Sequence, residues 1–210
     1  MFRVDLHVHT SRYSPCAESL HPEKMIIQAK KRKLHGVVIT EHDRLWKVED
    51  IQKLQLQTRD IRIYRGVEIS SASGHFLVIG IDNLSGIKPD ISIEKLIDMI
   101  QSCGAAIILV HHHLVYSNLK SPRAVKDLPQ LINAIEVVSS LTFDQHQIEA
   151  EDIARTRGWT AVGGSDAHHI EQVGTAFTIF KQLPKSEIQL AQAIQLGDCV
   201  PGRQYLNISF

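Results

Sequence analysis

The stretch Gly36-Val37-Val38-Ile39-Thr40-Glu41-His42-Asp43 decides the fold. Gly36 to Thr40 is a near-continuous apolar run without polar alternation. That is the pattern of a strand buried on both faces, as in parallel sheets covered by helices. The run then passes directly into three ionisable residues, which is unusual for a mere turn.

Working outward, strand-like and helical stretches alternate along the chain. Phe2 to His7 reads as a strand, and Pro22 to about Lys33 as a helix with Met25, Ile26 and Ala29 on one face. Val48, Ile51, Leu54 and Thr58 repeat at helical spacing. Ile61 to Ile69 and His75 to Ile81 read as strands, and the short link Ser70-Ser71-Ala72-Ser73-Gly74 predicts a hairpin. Ile93, Leu96, Ile97 and Ile100 give the i, i+3, i+4, i+7 signature of a helix. Further strands are expected at Ala105 to Val110, Ile132 to Val138, Thr160 to Gly164 and Val173 to Phe180. Leu114 to Leu128 reads as a loop. Helices are expected at Ile148 to Arg157, ended by Gly158, and at Ser186 to Leu196, ended by Gly197. This alternation implies an α/β protein with parallel strands and helices packed outside. About seven such units suit a small barrel.

Composition sets the limits. The chain has 210 residues, with 23 Lys plus Arg against 23 Asp plus Glu. One domain is expected at this length. The balanced charge and 6% aromatic content disfavour a long nucleic acid, which wants a basic groove and stacking platforms. The longest apolar run is too short to span a bilayer. The N-terminal stretch has no signal-peptide pattern. Cys16, Cys103 and Cys199 form no C-x-x-C pair, so a reducing, cytoplasmic setting is expected. The one outlying number is 12 histidines.

Position gives those histidines meaning. His7 and His9 end the first strand, and residues two apart on a strand share a face. Glu41, His42 and Asp43 end the second. Glu68 ends the third, where a carboxylate is costly to bury unless paired or bound to a cation. His75 opens the partner strand of the hairpin, within reach of Glu68; taken alone it reads as a half-buried strand histidine. Ala105 to Val110 runs into His111-His112-His113, with His111 and His113 on one face. Asp166 and His168 follow Gly163-Gly164 with the same two-residue spacing. Five strand ends thus carry His, Asp or Glu, and parallel barrels gather their active groups at that end. Mixed nitrogen and oxygen donors suit Zn²⁺, Mn²⁺ or Fe²⁺ better than Ca²⁺ or Mg²⁺.

In order, Asp5-Leu6-His7-Val8-His9-Thr10, Thr40-Glu41-His42-Asp43, Gly66-Val67-Glu68, Gly74-His75-Phe76-Leu77, Val110-His111 and Gly164-Ser165-Asp166-Ala167-His168 resemble the successive motifs of the PHP (polymerase and histidinol phosphatase) family. The motifs lie within residues 3–168. The resemblance implies a single PHP domain over residues 1–210, folded as a distorted (β/α)7 barrel that binds two or three divalent metals and hydrolyses phosphoesters. It implies His7, His9 and Asp166 at a first metal and Glu68 bridging to a second. It implies His75 and His111 at the second, and His42 and His168 at a third. It also overturns the isolated reading of His75.

Departures from the family pattern are visible. A third-site ligand is expected a few residues past the first motif, where Ser11-Arg12-Tyr13-Ser14-Pro15-Cys16 stands. A Cys16 thiolate is a good ligand in principle, but a loop cysteine is the simpler reading. Glu41 replaces the usual Asp and is expected to support a ligand from behind. Glu136 ends a strand and is not assigned as a ligand. His112 points away, and His113 competes with His111.

The expected reaction is attack of metal-activated water on a small phosphomonoester or a short nucleotide substrate. Arg12, Arg44, Lys47, Arg123 and Arg203 are candidate phosphate-binding cations, and spacing chooses none. His113 and His169 are candidate acids toward the leaving group. Alternatives are an inactive PHP-like regulatory module and, with less support, a metal-dependent amidohydrolase. The latter usually needs a longer chain and a bridging lysine where Glu68 stands.

Overall fold

Among the described residues nine strands form one sheet in the order β7-β6-β5-β4-β3-β2-β1-β8-β9, curled into a nearly closed barrel. The structure is a computed structural model and describes residues 1–110, 125–140 and 142–204. The strands are β1 (Phe2–Val8), β2 (Gly36–Ile39), β3 (Arg62–Ser71), β4 (Gly74–Ile79), β5 (Ala106–Leu109), β6 (Ala134–Val138), β7 (Thr160–Gly163), β8 (Ala176–Phe180) and β9 (Cys199–Arg203). The helices are α1 (Pro22–Lys31), α2 (Val48–Gln55), α3 (Ile93–Gln101), α4 (Asp144–Arg157) and α5 (Glu187–Gln195). Of the expected loop from Leu114 to Leu128, residues 114–124 lie outside the described residues.

The expected hairpin is present, and it interrupts the parallel run of strands. β1-β2-β3 and β5-β6-β7 are parallel, but β4 runs antiparallel to both β3 and β5. The physical reason is the hairpin link, which is too short for a crossover helix. β8 is likewise antiparallel to β1, and β9 to β8. β9 escaped the sequence reading because Pro201 and Gly202 argue against a strand; both are tolerated here at the sheet edge. α4 begins at Asp144, four residues before the expected Ile148. It ends as expected at Gly158, whose φ of 65° is left-handed.

Among the described residues three clusters of buried side chains organise the fold. α1 and α2 cover one part of the outer wall with Met25, Ile26, Ala29, Ile51 and Leu54. α3 and α4 cover another with Leu96, Ile97, Ile100, Ala150 and Ala154. The barrel interior holds Val4, Leu6, Val38, Tyr64, Leu77, Ile79, Ile108 and Val162, joined by Leu190, Ala191 and Ile194 of α5. α5 plugs the end opposite the site: Thr160 at the start of β7 donates its hydroxyl to the Ile194 carbonyl, and Gln195 donates to the Ala105 carbonyl just before β5.

The Thr178 side chain bridges β7 and β8. The Thr178 hydroxyl accepts from Gly163 N at 2.9 Å and donates to Gly163 O at 2.8 Å, fully buried. Thr178→Val keeps the shape and strands both groups. A loss of about 1–3 kcal/mol is expected, measured as a lower midpoint in urea unfolding. Among the described residues no helix is long and apolar enough to cross a membrane.

Candidate metal centre

The polar residues collect at the open end of the barrel because strand alternation carries them inward. On β3, Tyr64 faces the interior while Val67 and Ile69 join the outer cluster, so Glu68 points inward. On β4, Leu77 and Ile79 face inward, and His75 shares their side. β1 is different. Val4 and Leu6 lie inside, but Val8 packs outside with α1 and α2. The alternation therefore breaks within the strand, where the register with β2 shifts between Asp5 and Val8. Such irregularities re-aim side chains next to sites. Here the break turns His7 and His9 toward Glu68.

The result is a tight cage. His7 Nε2 lies 3.1 Å from His9 Nε2, 3.3 Å from Glu68 Oε2 and 3.2 Å from Asp166 Oδ1. His9 Nε2 lies 3.1 Å from Glu68 Oε2 and 3.3 Å from Asp166 Oδ1. All four residues are buried. Glu68 also reaches His75 Nδ1, 2.9 Å from its Oε1, and His42 Nδ1, 3.1 Å from its Oε2. The same side chains thus form a second donor group, His42-Glu68-His75, and a third, His9-His42-His168. In the third, the His9 ring stacks on those of His42 and His168 at 4.3 Å.

The donor set fits a divalent ion. Ligand atoms about 2.0–2.1 Å from a tetrahedral centre sit roughly 3.3 Å apart, close to the separations in the first cage. Protonation points the same way. Glu136 Oε2 lies 3.0 Å from His7 Nδ1. An Nδ1–H donated there turns Nε2 toward two carboxylates, which favour a positive charge at that atom, either a second proton or a bound cation.

The local electrostatics follow from burial and neighbours. Burial lowers His7, but Asp166, Glu136 and Glu68 outweigh it and hold the imidazole well above its usual value. His9 is raised by the same balance, burial against Asp166 and Glu68. Burial pushes His42 down to about 4, against the pull of Glu68, so its ring is neutral at pH 7. His168 is also lowered by burial.

Around the cage stands a frame that the sequence reading only partly foresaw. Glu41 accepts from Thr10 N at 3.1 Å, Trp46 Nε1 at 2.9 Å, and the Thr10 and Ser14 hydroxyls. Ser14 Oγ in turn lies 3.4 Å from His9 Nδ1. Glu41 therefore supports His9 through Ser14, as Glu136 supports His7 directly. Asp5 accepts from Ser165 N and Oγ, Gly174 N and His7 N, tying β1 to the segment that carries Asp166. Burial pushes its carboxyl up to about 6 although these donors pull the other way. The clue to Glu136 was a lone carboxylate in the apolar run Ala134-Ile135-Glu136-Val137-Val138.

The other candidates sort plainly. Asp166 has φ of 52°, so a turn rather than extended alternation brings it to His168, whose Nδ1 lies 3.0 Å from the Asp166 carbonyl oxygen. Cys16 is exposed on a single 3-10 turn, Pro15–Ala17, and joins none of the three groups. His169 is exposed, with its Nδ1 3.4 Å from Ser19 Oγ, and joins none of the three groups. His111, His112, His113 and Arg123 lie outside the described residues. Glu136→Gln keeps the volume but weakens the hold on His7. Metal affinity is expected to fall about 10–100-fold, read by titration with Zn²⁺ against a competing chelator.

The PHP domain profile matches residues 5–156, and a PHP-associated profile matches residues 146–199. This chain belongs to the PHP family. An uncharacterized protein of Methanocaldococcus jannaschii, MJ0417, is 27% identical over 98% of this chain and 78% of its own. The fold is shared with a two-domain protein of Bacteroides vulgatus described as containing a predicted PHP-like metal-dependent phosphoesterase. That match has TM-score 0.71 and 17% identity, over 97% of this chain and 65% of that one. It is also shared with a lesion-specific endonuclease of Pyrococcus furiosus, at TM-score 0.60 and 17% identity over 95% of this chain and 57% of that one. PHP family members are metal-dependent phosphoesterases, and the described residues of this chain include three His, Asp and Glu groups that could hold metal ions.

Proposed function

We propose that this PHP protein hydrolyses a small phosphomonoester or a short nucleotide in the cytoplasm, with two or three divalent ions (Zn²⁺, Mn²⁺ or Fe²⁺) held at the barrel's open end. The observation that carries the reading is the cage of His7, His9, Glu68 and Asp166, spaced as one ion's ligands. In this reading His7, His9 and Asp166 hold the first ion, and Glu68 bridges to a second held by His75 and His111. His42 and His168 serve a third, and His42 also stands within reach of the second group. Residues 1–210 act as one unit, consistent with a sheet that runs unbroken through β8 and β9.

When bound, the ions lower the pKa of a water toward 7 and neutralise phosphoryl charge. The chain does the rest. Glu136 and the Ser14-Glu41 pair fix the His7 and His9 rings. His42, neutral at pH 7, offers its lone pair without first losing a proton. His169 and His113 are the candidate acids toward a departing alkoxide.

The test is phosphate release by chelator-treated protein resupplied with Mn²⁺, Zn²⁺ or Fe²⁺, against a panel of phosphomonoesters and short oligonucleotides. Metal-dependent release, greatest from monoesters, is expected. Release from oligonucleotides alone would move the substrate to phosphodiesters. No release with any metal would sink the enzyme reading.

A further inference from the structure

Phosphate recognition needs a cation beside the metals, and the structure engages two of the candidates elsewhere. Arg12 is engaged: its guanidinium lies 3.1 Å from Asp50 and over the rings of Tyr13 and Trp46. Arg203 is engaged as well, donating to the Thr142 carbonyl at 2.9 Å and the Ser139 carbonyl at 3.5 Å, with Asp144 3.9 Å away. Lys47 is exposed at the N-cap position of α2, where its side chain makes no capping bond. Arg44 is exposed, and no carboxylate among the described residues pairs with it. Its guanidinium stands 4.5 Å over the Tyr13 ring.

Arg44 is also placed by its neighbours on both sides. Asp43 N donates to Glu68 O at 2.8 Å, Glu68 N donates to Glu41 O at 3.1 Å, and the Asp43 carboxylate accepts from Ser70 N at 2.8 Å. Trp46, two residues on, donates to Glu41. Tyr13 adjoins Ser14, which donates to the same carboxylate. The Arg44 Cα is therefore no more than about 7 Å from that of His42, on a turn pinned to the site. Its side chain is steered by an aromatic face that competes for none of its five N–H donors.

We propose that Arg44 binds the substrate's phosphoryl group, its planar fork taking two non-bridging oxygens. This rests on the phosphoesterase reading for its substrate, but not for its test. Inorganic phosphate is titrated calorimetrically into the metal-reconstituted protein and its variants, and KM and kcat are measured with p-nitrophenyl phosphate. Arg44→Ala is expected to weaken phosphate binding and raise KM by about tenfold or more, with metal content unchanged. Arg44→Lys should fall between, keeping the charge but not the fork. Lys47→Ala, which removes the same charge from the same loop, should leave both constants as they are.

Wild-type phosphate affinity in Arg44→Ala would overturn the assignment. So would an equal loss in Lys47→Ala, or a wild-type protein that binds no phosphate. A protein that hydrolyses no ester yet binds phosphate through Arg44 would overturn the phosphoesterase reading and leave the anion site standing.

Discussion

Glu68→Gln is expected to lower metal-dependent phosphate release by roughly a thousandfold or more, since a bound metal supplies several kcal/mol to the transition state and about 4 kcal/mol is a thousandfold. Glu68 is the one side chain within 3.3 Å of His7, His9, His42 and His75 alike among the described residues. The amide keeps the volume of the buried carboxylate but gives up its charge and one acceptor oxygen. An ion would then lose both its bridging ligand and the compensation of its charge. Circular dichroism of the variant should still report the mixed α/β fold. Turnover within tenfold of the wild type would mean that Glu68 only pairs with histidines.

Gly164→Ala should be nearly as damaging, for a mechanical reason. A Cβ at this position would stand 2.6 Å from His7 Cβ, 2.9 Å from His7 N and 2.8 Å from Glu136 Oε2. Two of these obstacles belong to β1 close to its backbone, not to the end of a flexible side chain. The end of β7 must move away from β1, and His7 loses its register with Asp166 and Glu136. Overpacking of this kind costs about 3 kcal/mol, or roughly 6–12 °C in melting temperature for a chain of this size. Scanning calorimetry of the metal-free proteins reads the strain, and a metal titration reads the displaced cage. A variant with wild-type melting and metal affinity would show that the two strands are not held this close.

Much of this site was legible in the sequence because barrel strands end where their ligands begin. Gly36 to Thr40 announced a strand buried on both faces, and His42 after it points into the cage. The short link after Ile69 announced the hairpin, and with it the nearness of His75 to Glu68, 2.9 Å in the structure. What stayed hidden depended on backbone irregularity or on distant partners. Strict alternation from Val4 and Leu6 puts His7 on the outer wall; the break before Val8 has no signature in Arg3-Val4-Asp5-Leu6-His7. The turn at Asp166 was hidden in the same way, since its left-handed backbone brings His168 round by a route that a two-residue spacing does not describe. Glu136 and Ser14 act on rings 129 and 5 residues away, respectively. Only the first left a trace, as a carboxylate with no apolar reason to be there. Arg12 and Arg203 could not be set aside until Asp50 was seen beside the first and three oxygens around the second.

The most direct measurement is the metal content of the protein itself. Purified wild-type chain is incubated with Zn²⁺, Mn²⁺ or Fe²⁺, desalted, and its metal-to-protein ratio determined by elemental analysis beside Glu68→Gln. Two or more ions per wild-type chain are expected with at least one of these metals, and fewer than one in the variant. A wild-type chain that retains no metal, or a variant that retains as much as the wild type, would contradict a metal centre built on Glu68.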